Sequence, residues 1–242
     1  MELGWTFVKR RAHLEELKPT GQHRLEFQDR LQQLPVVHIP IGLPKYRLFN
    51  GRTASLQEEW LSEHPEKGED FFRRDPELTE AQKVQHELLS KLIRGAGLLD
   101  YFQDTSNKQV DPLILDINGF VINGNRRLCA WRTLYELDCT KYGHFGHVDA
   151  VLLPPSDDKA IDKLEGTLQV EPEIRDDYTW DALANMMRLR KQHHKLDDKA
   201  LADFYKMTEK QVRDLQEMLE YAAVYLGARG KSRHWSLVSD KE

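Results

Sequence analysis

The sequence predicts an α+β protein: a mixed α/β domain followed by an all-helical domain with a helix–turn–helix. Three observations carry that reading. Between residues 36 and 153, short apolar runs bounded by Gly, Pro and Asn alternate with longer amphipathic stretches, the pattern of strands and helices in one layered domain. Within them, Asn118-Gly119 separates Leu113-Ile114-Leu115 from Phe120-Val121-Ile122, and Asn-Gly between two apolar runs is the strongest short-range hairpin signal. Beyond residue 157 the apolar spacing is helical throughout.

Taken in order, residues 1–34 read as a helical extension, with charge-rich, leucine-spaced helices expected near 6–17 and 23–34. Residues 35–172 make the expected mixed domain. Strands are expected at 36–41 and 46–49, a helix at 53–64, and a charged, Gly/Pro-punctuated loop at 65–76. Thr79-Glu80-Ala81-Gln82 has the capping-box pattern and starts a helix to about residue 94. Gly95-Ala96-Gly97 ends it. The hairpin follows, then a helix over 127–137, and a strand over 147–153 that stops at Pro154-Pro155. A helix over 157–166 leads to a boundary near 170–177. Residues 173–242 form the expected helical domain, with helices at 178–192, 197–205 and 209–225.

Composition narrows the function. No apolar run approaches the ~20 residues that span a bilayer, and the N-terminus has no apolar core of signal-peptide length. No membrane partner and a cytoplasmic location are therefore expected. Two cysteines, Cys129 and Cys139, imply no disulfide scaffold. A net charge of −5 argues against a large phosphate footprint while leaving room for a local basic face. His144 and His147 lie close together, but no further ligands have metal-site spacing. No protein metal site is expected.

The candidate chemistry lies at Gly124-Asn125-Arg126-Arg127, where a strand gives way to a helix. The first N–H groups of a helix have no intrahelical partner and carry partial positive charge, so an anion is stabilised there. Guanidinium groups add planar donors suited to phosphate. Two arginines at that pole oppose the helix dipole by ~0.3–1 kcal/mol unless an anion is present. A solvated surface helix is the alternative. Arg47 and Arg52 flank Asn50-Gly51 and are candidates for a second set of phosphate or DNA contacts.

In the helical half, Ala202 supplies the small residue of a helix crossing, and Val212 and Leu215 supply the inner face of the next helix. Thr208-Glu209-Lys210-Gln211 is a second capping-box pattern. Lys206 stands where a turn glycine is usual. Lys206, Lys210 and Arg213 are the candidate DNA contacts. An αα-hairpin within a helical bundle would show the same periodicity. Arg188, Arg190, Lys191, His193, His194 and Lys195 form a basic run just before it.

Several of these stretches resemble one family. Gly124, Arg126, Arg127 and Ala130 match the Gly-x-Arg-Arg-x-x-Ala signature of the ParB/sulfiredoxin superfamily. Residues 92–100 and 110–115 resemble its helix, glycine turn and following strand. Residues 36–41 and 46–52 resemble its opening strand and arginine-bearing loop. The likeness covers roughly residues 35–225, with an insertion around 53–76. In the sulfiredoxin branch a catalytic cysteine stands where Asn125 is, so sulfinic-acid reduction is not expected. In the ParB branch the arginine corner holds the triphosphate of CTP, and a Glu-Asn-x-Gln-Arg motif completes the site. Glu165-Gly166-Thr167-Leu168-Gln169 lies at the matching distance. It aligns Glu165 and Gln169 and departs at the asparagine and final arginine.

The resemblance implies a nucleotide-binding protein with phosphates at Gly124, Asn125, Arg126 and Arg127. It implies Mg²⁺ with CTP or ATP, Glu165 and Gln169 as candidate catalytic residues of a nucleoside triphosphatase, and DNA binding through the helical domain. Plasmid partition or related DNA biology would be the setting. The superfamily also contains ATP-using kinases of free serine, and a non-catalytic nucleic-acid-binding adaptor is the third class. A homodimer is compatible with the sequence, but no coiled-coil heptad follows Tyr225.

Overall fold

A computed structural model describes residues 3–170, 179–205 and 207–239, except the side chains of 169 and 170. In chain order the first elements are α1 (Phe7–Glu16), β1 (Gly21–Phe27), β2 (Arg30–Pro40), β3 (Lys45–Tyr46), α2 (Ala54–Glu63) and α3 (Phe71–Arg74). Next come α4 (Thr79–Gly95), α5 (Leu98–Gln103), β4 (Leu113–Leu115), β5 (Phe120–Asn123), α6 (Asn125–Leu137) and β6 (His147–Leu152). Four helices follow: α7 (Asp158–Val170), α8 (Trp180–His194), α9 (Asp198–Tyr205) and α10 (Glu209–Ala228). The fold is mixed α+β. The chain divides into two compact units, Met1–Leu48 with Asp75–Ile161, and Phe49–Arg74 with Asp162–Glu242. The boundary expected near 170–177 lies, from residue 171 onward, outside the described residues.

The first unit holds a six-stranded sheet in the order β1-β2-β6-β4-β5-β3. Pairs β1/β2, β2/β6 and β4/β5 are antiparallel, and β6/β4 and β5/β3 are parallel. Leu113 and Leu115 on β4, Val121 on β5 and Ala150 on β6 join Leu89 of α4 and Leu128 and Leu134 of α6 in one core. Trp131 stacks on Phe145, and both meet Phe102 edge-on, with centroids 5.6–5.7 Å apart, a geometry that favours aromatic pairs beyond their buried area.

Residues 23–34 correct the expectation of a helix, because they form the β1/β2 hairpin. Leu25 and Phe27 alternate with Arg24 and Glu26, and only the apolar pair is buried, a period of two rather than 3.6. Gln28 and Asp29 make the turn, with φ of 54° and 59°. A two-residue type I′ loop needs positive φ at both positions. Gln is an uncommon choice there, so the usual turn signal is missing. The strand expected at 46–49 shrinks to the two residues of β3, and the loop expected at 65–76 contains α3.

The capping box expected at Thr79–Gln82 does not form. Leu78 occupies the cap position, and Gln82 turns inward. Its Oε1 accepts from Tyr46 N at 3.0 Å, while Nε2 donates to Tyr46 O at 2.9 Å and Pro76 O at 3.0 Å. The amide pins β3 to α4 by satisfying backbone groups that would otherwise be buried unpaired.

The β4–β5 connection is closed by its own side chain. Asp116 Oδ1 accepts from the N–H groups of Asn118 and Phe120 at 2.9 and 2.8 Å. Gly119 takes φ of 79°. A Cβ there would lie 2.7 Å from Arg10 Cδ, because the fully buried Arg10 crosses the turn. Arg10 Nε donates to Asn118 O, and its guanidinium pairs with Glu77. Burial pushes the Asp116 carboxyl above its ordinary range, against the pull of those two N–H donors and of Arg47 and Arg10.

The second unit packs α2, α8, α9 and α10 around two apolar clusters. Met186, Met187, Leu201, Phe204, Tyr205 and Val212 form one, and Ala184, Leu219, Ala222, Leu226 and Trp235 the other. Polar ties run between them. Glu58 Oε2 accepts from Trp235 Nε1 at 2.7 Å and its other oxygen pairs with Arg188. Asn185 Nδ2 donates to Ser55 Oγ at 3.2 Å. Among the described residues no helix is long and apolar enough to cross a membrane.

Candidate functional site

Strand β5 ends at Asn123, and Gly124 turns the chain into α6 with φ of 101° and ψ of 14°. Only glycine enters that region freely. A Cβ at Gly124 would also fall 2.4 Å from Leu113 Cδ2. The first helical bond is Leu128 N to Gly124 O at 2.8 Å, so the N–H groups of Asn125, Arg126 and Arg127 precede the helical ladder. Gly124, as the capping residue, has no side chain to cap this end, and the first turn contains no acid. The positive pole of α6 is therefore offset by no carboxylate of its own.

The three side chains of the corner divide their work. Asn125 is 5% exposed; its Nδ2 donates to Val121 O at 2.8 Å. Its Oδ1 has no hydrogen-bond donor among the described residues. An acceptor left so costs ~1–3 kcal/mol. Arg127 holds the strand entering the hairpin: Nη1 donates to Asp111 O at 2.7 Å, and Nη2 to Asn123 Oδ1 at 3.3 Å. Its guanidinium also lies 5.9 Å from the Trp131 ring centroid, one turn along the helix. Arg126 is half-buried on the same first turn. The two adjacent arginines are thus not equivalent, since Arg127 is a strap between α6 and the β4 entrance.

One and two turns deeper, α6 carries a polar cluster that no sequence motif announces. The Tyr46 hydroxyl is 2.8 Å from His86 Nδ1. Cys129 Sγ lies 3.6 Å from the same nitrogen and 3.5 Å from Ser90 Oγ. Arg132, fully buried, donates Nε and Nη2 to Ile41 O at 3.1 and 3.0 Å. Its guanidinium sits 4.8 Å from the Tyr46 ring centroid. Burial drives the His86 pKa down to about 4, helped by the Arg132 charge. Burial likewise pushes the Cys129 thiol and the Tyr46 phenol up. Each group is held neutral by desolvation, so Cys129 is a thiol rather than a nucleophilic thiolate. Cys129 and Arg132 share α6, while Tyr46 and His86 arrive from β3 and α4, so no local pattern brings the four together.

The remaining expected residues belong to the second unit. Glu165, the candidate catalytic carboxylate, is fully buried. Its Oε2 accepts from Arg190 Nη2 at 2.9 Å and its Oε1 from Gly51 N at 3.2 Å. Arg190 Nη1 donates to Tyr205 Oη at 2.8 Å, and burial raises the Tyr205 hydroxyl to about 12. The Gln169 side chain lies outside the described residues. Asn50 Oδ1 accepts from Arg52 N at 2.9 Å, which fixes the 3₁₀ turn Gly51–Thr53, and Arg52 itself is half-buried. Lys206 lies outside the described residues. Lys210 and Arg213 are exposed on α10, with Arg213 Nη1 3.4 Å from Glu209 Oε2.

The capping box expected at Thr208 forms: Thr208 Oγ1 accepts from Gln211 N at 3.2 Å, and Gln211 Oε1 accepts from Thr208 N at 2.9 Å. The basic run before it is split by burial. Arg190 is fully buried, and Lys191 reaches Gln216 Oε1 at 3.0 Å. His194 pairs with Asp162.

Comparison with protein-family models finds no match for this chain, and comparison with curated proteins finds none.

Proposed function

We propose that this chain is a ParB-like nucleotide-binding protein in which the N-terminus of α6 holds nucleotide phosphates. The observation that carries the reading is the start of α6 itself. It opens at a left-handed glycine, has no side-chain cap and no first-turn acid, and keeps the buried Asn125 Oδ1 short of a donor. The N–H groups of Asn125 and Arg126 and the Arg126 guanidinium are the donors suited to phosphate oxygens. Arg127 acts as a positioning residue that fixes the corner to β4. Mg²⁺ would arrive on the phosphates, which normally supply much of its coordination. The neutral Asn125 Oδ1 is the oxygen suited to its water shell. No hydrolytic step is assigned to Glu165, whose oxygens already serve Gly51 and Arg190.

Coupling to DNA is the second half of the proposal. Helices α9 and α10, with residues 206–208 between them, share one apolar cluster through the buried Ala202 and Val212, and α10 begins with a formed capping box. That arrangement suits a helix–turn–helix, with Lys210 and Arg213 directed to phosphates. A cytoplasmic location in DNA partition goes with this reading.

Calorimetric titration with CTP, ATP, GTP and UTP in Mg²⁺ tests it. One nucleotide is expected to bind, and Arg126→Ala should weaken it about 10–100-fold, the loss of a charge-assisted hydrogen bond worth ~1.5–3 kcal/mol. CTP would mark a ParB-type switch and ATP a kinase-type enzyme. No heat from any of the four at millimolar concentration defeats the nucleotide reading. Salt-sensitive DNA binding without nucleotide would then point to an adaptor.

A further inference from the structure

Helix α10 has two faces. Val212, Leu219, Ala222 and Leu226 are buried in the second unit's core. On the adjoining face Met218, Tyr221 and Tyr225 are 45%, 68% and 47% exposed, with Val224 next to Tyr221 at 72%. Their spacing places Met218, Tyr221 and Tyr225 in one strip along the helix, and steps of three and four residues are those of an interhelical seam. Scattered apolar side chains need no explanation, but a contiguous exposed strip beside a packed face does.

The ends of the strip identify what covers it. Asp214 lies one turn before Met218. Arg229 lies one turn after Tyr225, its guanidinium 4.2 Å from that ring centroid. The strip therefore reads acid, Met, Tyr, Tyr, base. Turned end for end about an axis near Tyr221, it is complementary to itself. Asp214 then falls on Arg229 of the second copy, Met218 on Tyr225, and the Tyr221 rings cross at the centre. Glu217, whose Oε1 accepts a hydrogen bond from the Tyr221 hydroxyl at 3.0 Å, approaches the same basic end. Parallel pairing would instead place Asp214 on Asp214 and Arg229 on Arg229, and like charges opposed across a seam select against it.

We infer that α10 is the seam of a homodimer in which two copies of this chain pair antiparallel across Met218, Tyr221 and Tyr225. The contact is isologous and closes as a two-fold pair rather than a filament. From Met218 to Tyr225 the strip is ~10 Å long at 1.5 Å per residue. That is less than a permanent interface requires, so association in the range of about 10–100 µM is expected.

Sedimentation equilibrium of the full chain from about 5 µM to 0.5 mM tests the inference, because that window spans the expected dissociation constant. A monomer–dimer equilibrium is expected, and Tyr221→Asp should weaken it at least about tenfold. Tyr221 is too exposed for that change to disturb the core. Asp214→Arg and Arg229→Asp should each weaken the dimer, and the two together should restore it, since the exchange regenerates both ion pairs only when the helices run antiparallel. A monomer at every concentration overturns the inference, as does a dimer indifferent to Tyr221→Asp. A dimer weakened by each charge reversal but not restored by the pair overturns the antiparallel seam.

Discussion

Replacing Glu165 by alanine is expected to lower the unfolding free energy of the chain by about 3–5 kcal/mol, the usual cost of removing one partner from a buried ion pair. The carboxylate and the Arg190 guanidinium are both fully buried, so in the variant neither water nor salt can reach in to replace the lost charge. Gly51 N would lose its acceptor as well. Glu165→Gln keeps an acceptor for Gly51 but sets an amide against Arg190, and should fall between alanine and wild type. Replacing both Glu165 and Arg190 by methionine should recover much of the loss, because an apolar pair carries no desolvation penalty. Urea denaturation of the four proteins decides the matter through the midpoint at constant slope. If Glu165→Ala shifted stability by less than about 1 kcal/mol, the residue would not be the structural carboxylate described above.

Acid should destabilise the first unit as pH falls through the histidine range. His86 binds a proton near pH 6.5 in the unfolded chain but only near pH 4 in the fold. Its folded pKa is the lower one, so the unfolded state holds more protons between those values, and stability rises with pH across that window. The contribution is complete above pH 6.5 and is lost as pH falls towards 4. Each pH unit between the two values is worth about 1.4 kcal/mol, so the full loss is about 3 kcal/mol.

Glu77 acts in the same direction at lower pH. Its carboxyl is partly desolvated, which alone would raise its pKa, but hydrogen bonds and charge from Arg10 and Lys45 outweigh burial and hold it below the usual 4.5. Its share is therefore present above 4.5 and disappears below that value, outside the His86 window. Unfolding measured at half-unit steps from pH 7 to 4 should slope downward in wild type. In His86→Gln, whose amide oxygen can still accept from Tyr46, the slope should become clearly shallower, leaving the same-direction share of His144, whose pKa burial also lowers, and the opposite share of Asp116, whose carboxyl burial raises. A His86→Gln profile as steep as that of wild type would refute the buried neutral imidazole.

Much of the architecture was readable where local chemistry and tertiary use agree. The Asn118-Gly119 pair, the Gly95–Gly97 stop and the helices after residue 157 all follow from backbone preferences that no neighbour overrides. Gly97 and Gly119 both take positive φ, the conformation for which glycine is the default. Reading failed where a side chain had two plausible partners. Thr79–Gln82 and Thr208–Gln211 share one pattern, yet only the second forms a capping box, because the first glutamine is drawn to the backbone of Tyr46. Arg126 and Arg127 likewise look interchangeable in sequence, and only the positions of Asp111 and Asn123 separate their roles. The hairpin over residues 21–40 was hidden by a Gln-Asp turn whose positive φ values the residue types do not advertise.

The division of the chain has a consequence for how it is made. Residues 49–74 belong with 162–242 rather than with their neighbours in sequence. They bring Gly51 to Glu165, Ser55 to Asn185, and Glu58 to Arg188 and Trp235. On the ribosome, α2 emerges before its partners exist. At about 5–20 residues per second it waits several seconds, carrying Ala54, Ser55 and Gln57 on a face that has nothing to bury it. Contacts so distant along the chain must close a long loop before they are rewarded. No single proteolytic cut or truncation between the units releases the second one whole, and a gene encoding it alone would have to stitch the early segment to the late one.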